Sequence, residues 1–325
     1  MKSFFTPPCQ YQAGPFCFPR DEGRHKYLVE WWYANFHITG LSSGKQYGVM
    51  VAYFNNGFRL ACITDESGQE YYSFTTPGTT LVSFRKLNLY HLSKTGIDRW
   101  YQTEKEFCYR WEANLQANKV NLLMEALKPP LLLAGTGKIK VGSGGESYYY
   151  TQPRFKVTGK LKLGQNKQED VEGLGWLDHQ FGNFGPVPGS QGYEWFSIQL
   201  NNGVDIICYN LWEHGQVVTP LCCWMDEQKA AHCTDKFELT PLDFWTDDKG
   251  RKYANRWRIR YPVSGPAVFN LVIQTTMNGQ QINFLLYEGT TRVTAGSTYN
   301  GQPVEGVGYA ELTHKATLRL GNIKK

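Results

Sequence analysis

The chain has 325 residues, 41% apolar and 15% aromatic, with a formal net charge of +5. That is long enough for one large or two medium domains with a real core. Lys and Arg never form a run, which argues against a nucleic-acid partner. No window reaches the roughly 20 apolar residues of a membrane-spanning helix, since "NLLMEALKPPLLLAG" is broken by Glu125, Lys128 and two prolines.

In chain order, "MKSFFTPPCQYQ" is interrupted by Pro-Pro before it can build the apolar centre of a signal peptide. Residues 1–23 therefore read as an N-terminal extension, and the expected location is cytoplasmic, with peripheral membrane contact as an option. Residues 30–39 and 46–54 read as strands joined by "GLSSGK". Helical periodicity is scarce; "KVNLLMEALK" (119–128) and "MDEQKAAHCTD" (225–235) are the candidates. Residues 194–200 and 204–212 form a hairpin across Asn-Asn-Gly. Eight cysteines are spread without a C-x-x-C pair; they read as buried small apolar residues, and disulfides are permitted but not required.

An internal repeat organises these strands. "EWWYANFHITGLSSGKQYGVMVAYF" from Glu30 resembles "EWFSIQLNNGVDIICYNLW" from Glu194, and "VEGLGWLD" (171–178) resembles "VEGVGYAE" (304–311). The two matches keep their order, and the first copy carries extra residues between them. The fold expected is all-β, two tandem curled sheets over 24–182 and 193–325, joined by a Gly/Pro linker at 183–192. Pairing the first strand to the last would remove exposed edges and give two barrels.

Alternation gives the opening strand two faces. Glu30, Trp32, Ala34, Phe36 and Ile38 share one, which is plain core apart from the acid. Trp31, Tyr33, Asn35, His37 and Thr39 share the other, and Trp195, Ser197 and Gln199 form its counterpart in the second copy. A strand between a core and an apolar ligand cavity would have this composition, and so would a strand between two packed barrels. Both readings stay open on these residues.

The motifs "EWWYANFHI", "YYYTQPRFKVTG", "GLGWLDHQFGNF", "YEWFSIQL" and "YEG…VEGVGYAEL" resemble the lipocalin-like carotenoid 1,2-hydratase (hydroxyneurosporene synthase) family over roughly 27–313. That family also includes Diels–Alderases that close rings on polyene substrates. The resemblance implies two consecutive lipocalin-like barrels and a hydrophobic small-molecule substrate, polyene or isoprenoid, bound between or within them. It places acid/base chemistry at Asp178 and His179, where the family's Asp-His-x-Trp ends instead in Phe181. Glu30 is an alternative acid. Asp178 aligns with Glu311 of the second copy, so a structural role beside Arg154 competes with a catalytic one. His179 has no counterpart.

Hydrating an isoprenoid alkene requires protonating carbon, and a carboxyl in an apolar site keeps its proton at neutral pH. Trp31, Tyr33 and Trp195 are candidates to face the resulting cation. A pericyclic closure would need shape and hydrogen bonds from Tyr33, Asn35, Gln199 or Tyr287. The alternative outside enzymes is a carrier of hydrophobic ligands. "AGTGKIK" lacks the first glycine of a phosphate loop, and no H-x-x-x-H or H-E-x-x-H occurs, so neither a cofactor nor a metal is expected.

Overall fold

The computed structural model describes residues 9–185, 191–262, 268–283 and 286–313. Residues 186–190 of the expected linker lie outside the described residues, and 183–184 and 191–192 belong to strands. Two antiparallel sheets account for most of these residues. The first contains β1 (Val29–Gly40), β2 (Gln46–Phe54), β3 (Phe58–Asp65), β4 (Glu70–Val82), β5 (Asn88–Ser93), β6 (Gly96–Gln102), β7 (Cys108–Leu115), β8 (Asn118–Ala126), β9 (Gly145–Lys162) and β10 (Glu169–Phe184). Each pairs with its neighbour through β8. β10 pairs with both β1 and β9, and β8 closes on β9 from Lys119↔Lys162 to Ala126↔Phe155. The result is a ten-stranded barrel without a free edge along these pairs.

The second sheet contains β11 (Gln191–Leu200), β12 (Asp205–Glu213), β13 (Gln216–Met225), β14 (Ala231–Thr234), β15 (Glu238–Thr246), β16 (Lys252–Tyr261), β17 (Phe269–Thr275), β18 (Leu286–Val293) and β19 (Gly306–Thr313). Its order is β14-β13-β12-β11-β19-β18-β17-β16-β15. Among the described residues β14 and β15 do not pair, so this sheet curls without the closing contact of the first. The repeat is visible in both: first strand against last, β1 with β10 and β11 with β19.

Neither expected helix forms. Residues 119–128 fall mainly in β8, because Val120, Leu122 and Met124 alternate into the barrel core while Lys119 points to water. A period of two satisfies that pattern, and ladders on both sides hold it. Residues 225–235 are the end of β13, a turn and β14. Asp226 accepts from Ala230 N at 2.8 Å in that turn, and a Cys223–Cys233 disulfide ties the two strands. A second disulfide joins Cys9 to Cys17. Four of the eight cysteines are therefore bonded, and Cys62, Cys108, Cys208 and Cys222 are the buried small residues expected.

Buried side chains pack together in the barrel interior. Trp32, Trp100 and Trp111 are at most 1% exposed, and Trp111 Nε1 donates to Tyr53 Oη at 2.9 Å. The stretch before β1 belongs to this core, since Phe16 and Phe18 are buried among its residues. Each such ring contributes about 1.5–3 kcal/mol of burial. In the second sheet Phe196, Ile198 and Leu200 face inward with Trp257 and Phe269.

The outer faces of the two sheets meet each other. Tyr33, Met50, Tyr149 and Trp176 of the first pack with Trp195, Ile207 and Tyr309 of the second. Polar bonds fix the contact: Asn35 Nδ2 donates to Ser197 Oγ at 3.0 Å, and Gln199 Nε2 to the carbonyls of Pro153 and Gly175 at 2.8 and 3.0 Å. Arg154 of β9 and Lys128, which follows β8, both pair with the fully buried Asp205 of β12, at 2.9 and 2.8 Å. Arg154 thus serves Asp205, not Asp178.

Candidate functional site between the two sheets

A cavity of about 310 Å³ lies where the outer faces diverge. Its walls are aromatic and aliphatic, with Trp31, Tyr33 and Phe54 from the first sheet and Trp195, Tyr209 and Leu286 from the second. This volume is at the lower end of the range for small-molecule sites. It fits a compact ligand, or the reacting end of a longer one.

Three carboxyl groups open into this apolar space: Asp178 of β10, Glu288 of β18 and Glu311 of β19. The strand ladders put them there. Asp178 sits opposite Tyr33, Glu311 opposite Trp195, and Glu288 opposite Glu311. Aligned on Glu30 and Glu194, the two copies pair two residues out of step, and a shift of two leaves the side chain on the same face.

Asp178 is held by donors on both oxygens. Trp176 Nε1 reaches Oδ1 at 2.7 Å and Tyr149 Oη donates to Oδ2, while Trp195 Nε1 donates to Tyr149 Oη at 2.9 Å. Burial pushes Asp178 up to about 7 against these donors, with the charge of Glu311 adding to the rise. Tyr193 Oη donates to Glu311, and Tyr33 Oη lies 3.4 Å from Glu288 Oε2. Glu288 and Glu311 also hydrogen-bond each other. Burial first, and then the charge of Glu311, pushes Glu288 well above the usual carboxylate range. Glu311 is raised by burial as well, partly offset by Tyr193 and Glu288. Two carboxyls in contact away from water cannot both ionise cheaply, so the pair retains a proton and titrates as a unit.

Among the residues expected from sequence, Asp178, Trp31, Tyr33 and Trp195 line the cavity. The others do not. Asn35 bridges Tyr33 Oη and Ser197 behind the wall, and the Gln199 amide is bonded to backbone carbonyls. His37 is buried beside the Tyr309 ring, and burial holds it down to about 3. Tyr287 lies in the second core, 5.6 Å from the Tyr253 ring.

His179, Phe181 and Glu30 face into the first barrel. Consecutive residues of a strand point to opposite sides, so the Asp178–His179 motif cannot act as one unit. His179 Nε2 lies 3.1 Å from Glu30 Oε1, and its ring stacks on Trp32. Phe181 stacks on His25 at 3.6 Å. Burial alone would raise Glu30, but His179 and His25 outweigh it and hold the carboxyl low. Glu30 is therefore not a proton donor to the cavity.

Glu288, Glu311, Tyr149 and Tyr193 escaped sequence reading. The available signals were the alignment of Glu311 with Asp178 and the Tyr-Glu-Gly motif that contains Glu288.

The family model described as AttH-like matches residues 57–315. A solved structure assigned as an AttH protein of Nitrosomonas europaea is similar at 20% identity and TM-score 0.74, covering 95% of this chain and 99% of that one. Kievitone hydratase from Nectria haematococca is similar at 17% identity and TM-score 0.74, over 95% and 97% of the two chains. At these identities the likeness shows a common fold. No curated protein matches by sequence.

Proposed function

The chain belongs to the AttH-like family, and we propose that it hydrates an alkene in an apolar, isoprenoid-type substrate held between the two sheets. The observation that carries this reading is the Glu288–Glu311 pair, a proton-retaining acid in an apolar cavity. The hydratase among the similar structures supports it as an analogy of fold.

The chemistry balances with the residues present. The glutamate pair transfers its proton to one alkene carbon, forming a C–H bond and leaving a tertiary cation on the other. The faces of Trp31, Tyr33 and Trp195 stabilise that cation by about 0.5–2 kcal/mol per good contact. Water adds its oxygen to the cation. Asp178, already held in place by Tyr149 and Trp176, accepts the proton that water releases. Proton exchange with solvent then restores the pair.

Turnover in D2O with a short isoprenoid alkene tests the proposal. The expected product is a tertiary alcohol carrying one deuterium on the adjacent carbon. A ring-closed product without deuterium would replace hydration by pericyclic closure. Return of the ligand unchanged, with stoichiometric binding, would make the protein a carrier.

A further inference from the structure

We propose that His25, Glu30 and His179 form a binding site for one divalent metal ion of the zinc class at the end of the first barrel. The site is separate from the carboxyl cavity, on the opposite face of β1 and β10. One ligand atom from each residue lies within 4.8 Å of the others. His25 Nδ1 and His179 Nε2 approach the same oxygen, Glu30 Oε1, at 2.8 and 3.1 Å. Ligands on an ion with bonds of about 2.0–2.2 Å sit roughly 3–3.5 Å apart, so the two nitrogen–oxygen separations are already near those of a bound ion, and the rings would turn from Glu30 Oε1 to face it.

The hydrogen bonds turn one nitrogen of each histidine to the same carboxylate oxygen. His179 Nδ1 lies 3.0 Å from the carbonyl oxygen of Asp21, nearer than the Tyr150 hydroxyl at 3.2 Å. A carbonyl only accepts, so Nδ1 carries a proton, and Nε2 is the nitrogen left facing Glu30. His25 repeats the arrangement, with Nε2 3.3 Å from Asp21 Oδ1 and Nδ1 facing Glu30. One nitrogen of each ring and a carboxylate oxygen therefore converge. A divalent cation would take the place of the protons shared in these contacts.

The surroundings are those of a built metal site. Metal-binding histidines commonly donate their other N–H to a carboxylate or a backbone carbonyl, and Asp21 supplies both acceptors. Stacking of His179 on Trp32 and of His25 on Phe181 fixes both rings. The backbone N–H of His25 donates to both Glu30 oxygens at 3.1 Å, which orients the carboxylate. Glu30 and His179 are fully buried, and the His25 side chain is 16% exposed, so solvent and the ion enter past His25. The ion would fasten the segment around Asp21 to β1 and β10.

The test is metal binding, read independently of turnover. Full-length protein freed of metal by a chelator is titrated with Zn2+ alone, then with Co2+ for its visible spectrum. One equivalent is expected to bind, raising Tm by roughly 4 °C at a hundredfold excess over Kd. Co2+ should show the bands of a nitrogen/oxygen ligand set. H25A, altered at the rim, and E30Q, which keeps the side-chain shape, should each weaken binding at least tenfold. If E30Q does not fold, H25A decides. Absence of binding to the wild-type chain, or undiminished binding by the folded variants, overturns the site.

Discussion

The double variant E288Q/E311Q is expected to lose roughly 10²–10⁴-fold in kcat for hydration, with little change in ligand binding. Glutamine keeps the size of each side chain and can still meet Tyr33 and Tyr193, so the cavity keeps its shape. What it removes is the transferable proton. The split between kcat and binding separates this from a packing defect, which would weaken both. Asp178→Asn should lower kcat through the water-activation step, since its oxygens lie in the same cavity. His179→Ala should leave the chemical step in place, because that ring lies on the other side of β10, against Trp32. A variant pair in which His179→Ala abolishes turnover and E288Q/E311Q does not would move the chemistry into the barrel.

Asp205→Asn is expected to destabilise the protein by about 3–5 kcal/mol. Asp205 is fully buried and receives both Arg154 and Lys128. An amide there leaves two cations without a counter-charge in a site that excludes water. Arg154 Nη2 also donates to the Leu200 carbonyl at 2.8 Å, and Lys128 Nζ to Met225 and Asp226 carbonyls at 3.1 and 2.9 Å. Those bonds do not replace a carboxylate. The two cations come from the first sheet's part of the chain and the acid from β12, so the change also loosens the contact that shapes the cavity. Denaturant unfolding measures it as a lower midpoint. A loss below about 1 kcal/mol, the value of an exposed pair, would contradict this account of the contact.

Much of the fold was legible in the sequence because its signals are local and repeated. The Glu30 and Glu194 strands announced two faces by alternation, and the structure places Trp32, Phe36 and Ile38 in a core and Trp31 and Tyr33 at the contact between sheets. The two Gly-x-Gly strands marked the partners of those first strands. The expected helix at 119–128 failed because Leu122, Leu123 and Met124 satisfy either period in a short apolar run. The ladders on both sides, not propensity, decide it.

The site was only partly legible, because side-chain convergence depends on how two sheets dock. Asp178 and His179 are adjacent in sequence and separated by the strand itself. Glu288 and Glu311 are 23 positions apart in sequence and opposite each other in the ladder. His25, Glu30 and His179 show no ligand spacing along the chain, since Glu30 and His179 meet only through the β1–β10 pairing. The N-terminal stretch read as an extension instead supplies Phe16, Phe18 and Asp21 to the barrel.

Infrared titration of the carboxyl C=O band, comparing the wild-type chain with E288Q/E311Q, tests the retained proton most directly. A raised carboxyl in the folded state keeps its proton above the ordinary glutamate range of about 4.3. The associated stability is present below that range and is lost as pH rises through the folded value. The expected result is a protonated-carboxyl band at neutral pH in the wild-type chain that is weaker in the double variant, where Asp178 and Glu22, pushed up by burial to about 7 and about 8, still contribute. The wild-type-minus-variant difference disappears only on further alkalinisation. Wild-type and variant spectra that are identical at neutral pH would contradict the proposal that the cavity holds a protonated glutamate pair.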